Sequence, residues 1–278
     1  MAVQLLELEQ HYEIICFEDG SSQYLDANAA ATQSIVNAKH MVASKNKGRI
    51  STRQLLAASA SYDWLLFLDA DVIPKEHNFL KNYLHYVNST YDAIYGGYAY
   101  ALEQPESQFN LRYQYGKTYE QVNATTRNKT PYKIVISGNF LMRKSVFLDI
   151  NSKIENDGYG YDNYFGALMK SHNINVFHID NHVIHNGLDT NEVFLSKVEK
   201  AVETLIEIHK NNETSVTENS LLELYKILNR IGLSLVTALL FRSSKSWIKK
   251  QLLSGNPNLK LLQFYKLGYL CVLTTGKK

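Results

Sequence analysis

The chain has 278 residues, which suits one large domain or two small ones. Its 29 lysines and arginines nearly balance 27 aspartates and glutamates, so we expect no nucleic-acid partner bound through charge. Hydrophobic residues make up 45% of the sequence and charged residues 20%, which excludes a disordered or collagen-like chain. The two cysteines, Cys16 and Cys271, are too few for a disulfide framework or a Cys-based zinc site, and they fit a reducing, cytoplasmic setting.

Short apolar runs alternate with amphipathic stretches along the chain. Strands that alternate with helices indicate an α/β domain with a mostly parallel sheet. Open sheets of this kind bind ligands at the carboxyl ends of their strands, where several polar motifs of this sequence lie. The predicted strands are 13–17, 64–68, 93–100, 133–142 and 176–184, and the predicted helices are 2–10 (the end of one), 51–61 with Ser51 as N-cap, 77–87, 162–171 and 191–211.

The most informative motif is Asp69-Ala70-Asp71, directly after the apolar run Trp64–Leu68. Two carboxylates at the end of a buried strand can converge on one cleft. Paired oxygen ligands suit Mg²⁺ or Mn²⁺ and leave positions open for phosphate oxygens. So short a motif also matches by chance, in which case the two acids would be a helix cap and a surface turn residue.

Other polar residues end further predicted elements. Asp19 follows the first strand, Arg53 lies in the next helix, and His185 ends a later strand. Asp162 opens a helix after the glycine- and tyrosine-rich loop 156–161, whose rings could stack on a sugar. Each has a plainer interpretation as well: Asp162 would suit a helix N-cap, and a lone histidine is more often structural than a metal ligand.

Taken in order, these segments resemble bacterial-type glycosyltransferase family 2, with the GT-A nucleotide-sugar fold. The resemblance runs from about Tyr12 to Phe194. It rests on five segments: YEIICFEDGSS, NKGRISTRQLLAASASYDWLLFLDAD, ISGNFLMRKSVF, GYGYDNYFG and NHVIHNGLDTNEVF. Several members of the family place a metal-binding histidine in the last of these.

The resemblance implies an inverting, metal-dependent glycosyltransferase. Such an enzyme moves a sugar from a nucleotide-diphosphate donor, here expected to be a UDP-sugar, to a hydroxyl group in polysaccharide or glycoconjugate synthesis. The acceptor would be a glycan or a lipid-linked molecule. The implied donor-binding residues are Asp19, Arg53, Asp69, Ala70 and Asp71; Asp71 and His185 would hold Mn²⁺ or Mg²⁺, Asp162 would be the general base, and Tyr159, Tyr161 and Asn163 would lie on the acceptor side.

Two features depart from the family pattern. Members usually begin with a strand that ends in Pro-x-x-Asn, whereas this chain starts inside what resembles the following helix. We therefore expect that strand to be missing, with two neighbouring strand edges unpaired, and we favour a truncated or misassigned start. Glu-Asp is common where this chain has Asp162-Asn163, so Asp162 or Asp157 must supply the base.

The last part of the chain is basic. Residues 221–278 hold eight lysines and two arginines against Glu223, a net charge of +9 within a total of +2, so the remaining residues carry −7. Basic amphipathic helices, predicted here at 221–241 and 247–269, occur at anionic membrane surfaces. A helical subdomain with solvated lysines fits the pattern as well. We expect a catalytic domain at 1–211 and a basic helical extension at 212–278.

The predicted location is the cytoplasm, with peripheral contact to the inner face of the membrane through 221–278 as one interpretation. The sequence has no uncharged apolar run of transmembrane length and no signal-peptide pattern at Met1. Two other functions stay open. A catalytically inactive GT-A binding protein would explain the missing strand and Asn163. A sugar nucleotidyltransferase is less favoured, because no glycine-rich phosphate loop is present near the start.

Overall fold

A computed structural model of the chain describes residues 4, 11–156, 158–211 and 219–275. Of the helix predicted at 2–10, only Gln4 is described, and it is helical. Asp157 and residues 212–218, at the start of the predicted extension, lie outside the described residues.

The described residues contain nine strands in three small sheets. The sheet orders are β1–β2, β3–β7–β5–β8 and β4–β9–β6. The strands are β1 (Ile14–Asp19), β2 (Ala38–Ala43), β3 (Trp64–Leu68), β4 (Val72–Pro74), β5 (Ala93–Tyr95), β6 (Tyr98–Ala99), β7 (Asn139–Arg143), β8 (Val176–His178) and β9 (Val183–His185).

Helices surround these sheets and make up the C-terminal part. They are α1 (Leu25–Gln33), α2 (Arg49–Ser59), α3 (Phe79–Leu84), α4 (Asn110–Tyr119), α5 (Ala124–Arg127), α6 (Lys144–Ser152), α7 (Tyr161–Ser171), α8 (Asn191–Asn211), α9 (Ser220–Arg230), α10 (Leu233–Leu252) and α11 (Leu259–Thr275). A single 3₁₀ turn at Ser107–Phe109 leads into α4.

The predicted α/β class is confirmed, but the sheets are more mixed than the expected mostly parallel sheet. Three of the six described strand pairs are parallel and three are antiparallel. Strand β7 accounts for two antiparallel pairs, because it runs against both β3 and β5. An apolar run indicates that a strand is buried and carries no information about its direction.

Strands β1 and β3 both lie at an edge of their sheet within the described part of the chain. Among the described strands, β1 pairs only with β2, and β3 pairs only with β7. The two meet at their starting ends, where the Glu13 carboxylate accepts hydrogen bonds from the Ser61 amide and hydroxyl groups.

Two predicted strands are each divided in two. The run 93–100 breaks at Gly96-Gly97 into β5 and β6, and the run 176–184 breaks between β8 and β9. At both breaks the chain leaves the four-stranded sheet and enters the three-stranded one. Gly97 has φ +85°, and a Cβ on Gly96 would overlap the Tyr83 hydroxyl and the Asn181 carbonyl oxygen, so this crossing needs two glycines.

Buried polar side chains hold this branch between the sheets. The Asn139 amide, fully buried, donates to the carbonyl oxygens of Gly97 and Asn181 at 2.9 Å each and accepts from the Tyr83 hydroxyl at 2.7 Å. The Arg127 guanidinium, also fully buried, donates to the carbonyl oxygens of Val122, Tyr95 and Ile179 at 2.8, 3.1 and 2.8 Å. These donors serve buried carbonyl oxygens at the two crossings, of which those of Tyr95 and Gly97 also accept from the Ile179 and Val183 amides at 3.0 and 3.3 Å.

The C-terminal helices share a hydrophobic core with the rest of the chain. Leu111 of α4 and Phe194 of α8 pack in one cluster with Phe241 of α10 and Tyr265 of α11. The Tyr265 hydroxyl also donates to Glu199 Oε1 at 2.6 Å. The division at 211/212 remains a prediction, because this packing continues across it.

No single described helix has the length and apolar composition needed to cross a membrane. Helices α9 and α10 satisfy both criteria only when taken together, and they are bent by 114° at the break between them.

The substitution Asn139→Asp tests the branch. It keeps the size of the side chain but replaces the donor that serves two buried carbonyl oxygens, so we expect a loss of about 3 kcal/mol or more in the free energy of unfolding. Urea denaturation measures this loss. The matched control is Asn78→Asp on an exposed residue, for which we expect a change within about 0.5 kcal/mol. Equal stability of the two variants would contradict the assigned role.

Candidate functional site

Asp69 lies directly after β3 and is fixed from two sides. Its amide donates to the Gly138 carbonyl oxygen at 3.2 Å, and Arg53 Nη2 of α2 donates to its Oδ1 at 2.6 Å. Tyr98 of β6 lies 3.5 Å from the other carboxylate oxygen. Burial alone would raise the pKa of Asp69, but the charges of Arg53 and Arg49 outweigh it and hold this pKa below its ordinary value. Asp69 is therefore ionised at neutral pH.

The pairing of β4 with β9 brings Asp71 to His185. Val72 lies opposite His185 in the antiparallel ladder, and the Asn186 amide donates to the Asp71 carbonyl oxygen at 2.9 Å. Asp71 Oδ2 and His185 Nε2 are 3.7 Å apart. The predicted metal pair is thus brought together by two short strands that the sequence did not reveal as partners. Ala70, between the two aspartates, is exposed.

This pair fits a divalent cation. An oxygen and an imidazole nitrogen are both ligands that Mn²⁺ accepts, and two protein ligands leave positions for phosphate oxygens. The second ring nitrogen of His185, Nδ1, is buried and has no hydrogen-bond partner. Burial lowers the pKa of His185, and Arg112 lowers it further, which favours the neutral, ligating form. Within the described residues, no group of three or more His, Cys, Asp or Glu side chains could hold a metal ion.

Asp162 faces the same region from α7. It lies in the first turn of the helix, after Gly160 with φ +103°. Arg49 Nη1 of α2 lies 3.8 Å from Asp162 Oδ2. Burial acts to lower the pKa of Arg49, but the carboxylates of Asp162 and Asp69 outweigh it and raise this pKa. Arg49 therefore links the predicted base to the donor-side carboxylate.

Arg49 was not among the predicted site residues, although a signal was present. Arg49 and Arg53 are four residues apart, which places them on one face of α2. The helix begins at Arg49 after Gly48, two residues before the predicted N-cap Ser51. This earlier start includes Arg49 in the helix.

Asp19 lies at the N-terminus of the same helix. Its two carboxylate oxygens accept hydrogen bonds from the Lys47 and Gly48 amides at 2.7 and 3.0 Å. A carboxylate at this position is stabilised by the free N–H groups of the helix. The structure therefore gives Asp19 a role in positioning α2, while its contact with a nucleotide stays a prediction.

The three predicted acceptor-side residues have different environments. Tyr161 is buried in the core beneath the sheet, so its ring cannot stack on a sugar in this structure. Tyr159 is half-buried, with the Lys197 ammonium 5.4 Å from its ring centre, and burial raises its pKa to about 12. Asn163 is exposed. Tyr159 and Asn163 alone remain available to an acceptor.

A buried arginine near His185 was missed. Arg112 of α4 donates from Nη2 to Glu120 Oε2 at 3.0 Å, while its buried Nη1 has no partner. The Tyr100 hydroxyl bonds to the same Glu120 oxygen, and the Tyr100 ring lies 5.8 Å from that of His185. Arg112 lies in a helix that the apolar pattern did not predict, so nothing in the sequence pattern places it near His185.

The substitution Arg53→Met tests the ion pair with Asp69. It leaves a largely buried carboxylate without its nearest cation, so we expect a loss of about 2–3 kcal/mol in the free energy of unfolding at pH 7. The loss should shrink as pH falls toward 4. In the native protein the depressed pKa of Asp69 stabilises the fold at pH values above about 4, which is the pKa of this group in the unfolded chain. The unpaired Asp69 of the variant takes up a proton at higher pH than the paired Asp69 of the native protein.

Urea denaturation at pH 7, 5.5 and 4.5 measures this trend. The control is Lys153→Met, which removes an exposed ion pair with Asp149 and should cost under about 0.5 kcal/mol. A loss that does not change with pH would show that Arg53 stabilises the fold by packing alone.

Solved structures support the fold. The mannosyltransferase PcManGT from Pyrobaculum calidifontis, in complex with GDP-Man and Mn²⁺, aligns with 99% of this chain and 82% of its own, at 9% identity and a TM-score of 0.54. TarS 1-349 of S. aureus with UDP-GlcNAc aligns over 99% and 87% at 13% identity, and glucosyl-3-phosphoglycerate synthase of Mycobacterium tuberculosis over 74% and 73% at 12% identity. Their TM-scores, 0.49 and 0.47, are too low to carry weight.

Sequence comparison gives the family. No curated protein sequence matches the chain significantly. The family profile described as "Glycosyl transferase family 2" matches residues 3–150, which include Asp19, Arg53 and the Asp69-Ala70-Asp71 motif. This match covers more than half of the chain, and the chain therefore belongs to glycosyl transferase family 2.

Proposed function

We propose that this family 2 glycosyltransferase transfers a sugar from a nucleotide-diphosphate donor to an acceptor hydroxyl group with inversion at the anomeric carbon. The observation that carries the proposal is the juxtaposition of Asp71 and His185, 3.7 Å apart, beside the ion pair of Asp69 and Arg53. A pair of metal ligands next to a fixed carboxylate and two arginines suits a ribose and a diphosphate.

On the donor side, Arg49 and Arg53 supply positive charge, and Asp71 with His185 would hold Mn²⁺ or Mg²⁺. When bound, such an ion neutralises the charge that grows on the diphosphate leaving group. The GDP-Man and Mn²⁺ of PcManGT support a nucleotide sugar and a divalent ion here as well. We place Asp19, Asp69 and Ala70 along the nucleoside, with uridine as the first base to test.

On the acceptor side, Asp162 takes the proton from the attacking hydroxyl group. Before the donor binds, the Arg49 guanidinium lies 3.8 Å from this carboxylate. The acceptor we propose is a glycan or a lipid-linked molecule of polysaccharide or glycoconjugate synthesis, placed against Tyr159 and Asn163 at the cytoplasmic face of the membrane.

The donor site is tested by thermal unfolding with UDP, GDP and CDP, each with and without Mn²⁺. We expect one nucleotide to raise the melting temperature in the presence of Mn²⁺, because a ligand that binds only the folded state stabilises it. Asp71→Asn should abolish the shift. Gly187→Ala should weaken it, because a Cβ there would overlap the Asp71 carboxylate and displace it.

The matched control is Asp149→Asn, which neutralises an exposed carboxylate on α6 and should leave the shift unchanged. If no nucleotide shifts a cooperative unfolding transition, the proposed donor site is wrong.

The base is tested by Asp162→Asn. We expect the rate of sugar transfer to fall about 10²–10⁴-fold, the usual contribution of a general base, while the nucleotide-dependent thermal shift persists. Asp149→Asn, which neutralises an exposed carboxylate on α6 outside the site, is the control and should keep most of the activity.

Full activity of Asp162→Asn would refute this assignment. Binding of nucleotide by the native protein with neither transfer nor slow hydrolysis of any sugar donor would instead support a catalytically inactive binding protein.

A further inference from the structure

The bent pair of α9 and α10 forms a corner that exposes many apolar side chains. Half of the large hydrophobic residues that are exposed in the described chain lie in this one stretch of 24 residues. They are Leu224, Ile227, Ile231, Leu233, Leu235, Val236, Leu239, Leu240 and Trp247.

The first half of α10 is apolar on both sides. Ala238 and Phe241 face inward and are buried, with Phe241 packed in the core shared with α8 and α11. Leu235 and Leu239 face outward and are 61% and 63% exposed. A helix that is apolar all round is typical of a buried or membrane-contacting position, and no described element covers the outer side.

Polar groups at the corner are satisfied locally. The Thr237 hydroxyl donates to the Leu233 carbonyl oxygen at 2.9 Å, and the hydroxyls of Ser243 and Ser244 donate to the Leu240 carbonyl oxygen at 2.9 and 2.7 Å. Bonded back to their own helix, these hydroxyl groups lower the cost of leaving water. A Cβ on Gly232, at the bend, would have no atom within 4 Å, so the bend is open to solvent at this residue.

Five exposed cations, here called the basic rim, lie on the same two helices as the apolar surface. The cations are Lys226, Arg230, Arg242, Lys249 and Lys250. No described carboxylate lies within ion-pair distance of any of them. Glu223 is the one acidic residue of the two helices.

The positive charge of the basic rim indicates which kind of partner covers the apolar surface. A second copy of the chain, docked through the same surface about a two-fold axis, would bring two basic rims together, and like charges would oppose association. An anionic lipid surface offers hydrocarbon to the apolar side chains and negative headgroups to the rim.

We propose that the α9–α10 corner, defined by the nine apolar residues and five cations above, docks this protein on an anionic bilayer. The corner lies in the headgroup region rather than across the membrane, since the chain bends by 114° between α9 and α10. Helix α11 stays on the protein side, because Leu262, Tyr265 and Leu270 are fully buried. The inference gives the extension a specific contact surface and does not depend on the proposed sugar transfer.

The test is flotation of the full chain with vesicles at low and high salt. The vesicles contain phosphatidylcholine alone or with about 30% phosphatidylglycerol, which gives them a negative surface potential like that of a natural membrane. We expect binding to the anionic vesicles, weakened at least about ten-fold by their replacement with neutral ones or by high salt. Addition of anionic vesicles should also blue-shift the tryptophan emission, and Trp247→Phe should remove this change.

The double variant Leu239→Glu/Leu240→Glu should lose binding by at least about ten-fold, because it places two acids on the apolar surface. Its matched control, Val36→Glu/Leu102→Glu, alters two exposed apolar residues outside the corner and should bind as the native chain does. Thermal unfolding of each variant checks that it is folded.

Two results would overturn the proposal: no flotation of the native chain with anionic vesicles, or flotation of Leu239→Glu/Leu240→Glu at the native level. A concentration-dependent dimer in sedimentation, lost in the same variant and without vesicle binding, would also overturn it and assign the corner to a second copy.

Discussion

The arrangement of the candidate site depends on a set of buried hydrogen bonds at the point where one sheet gives way to another. Strands β5 and β8 belong to the four-stranded sheet, and the chain continues from them into β6 and β9 of the smaller sheet. At these crossings Arg127 and Asn139 donate to the carbonyl oxygens of Ile179 and Asn181, and also to those of Tyr95 and Gly97. Since β9 carries His185 and pairs with the strand after Asp71, the spacing of the two metal-ligand candidates follows from this branch.

The second constraint on the site is charge balance. Arg53 pairs with Asp69, and Arg49 lies near both Asp69 and Asp162, so the two arginines of α2 hold the carboxylates of two other elements in place. Asp19 fixes the start of α2 and thereby sets where both arginines point. An anionic ligand would enter a region whose cations are already positioned, which reduces the reorganisation that binding requires. The same pairs keep Asp69 ionised and therefore stabilise the fold at neutral pH.

Part of this arrangement could be predicted from sequence, and particular residues show why the rest could not. Trp64–Leu68 and 191–211 were located to the residue, because a short apolar run and a long amphipathic period are strong local signals. Asp71 and His185 were paired through the family resemblance, and the ladder of β4 and β9 brings them close. Tyr161 faces the core, because the loop before it turns at Gly160, a conformation that periodicity does not reveal. The proximity of Arg112 to His185 arises from contacts between distant segments.

The opposite charges of the two parts of the chain bear on how a membrane-bound form would be oriented. Residues 221–278 carry +9 and the rest of the chain −7, and the shared core around Phe241 and Tyr265 joins the two. An anionic surface attracts the rim of the α9–α10 corner and repels the body, and both forces act over about one Debye length. Attraction of the corner and repulsion of the body together favour a single orientation, with the body facing away from the anionic surface.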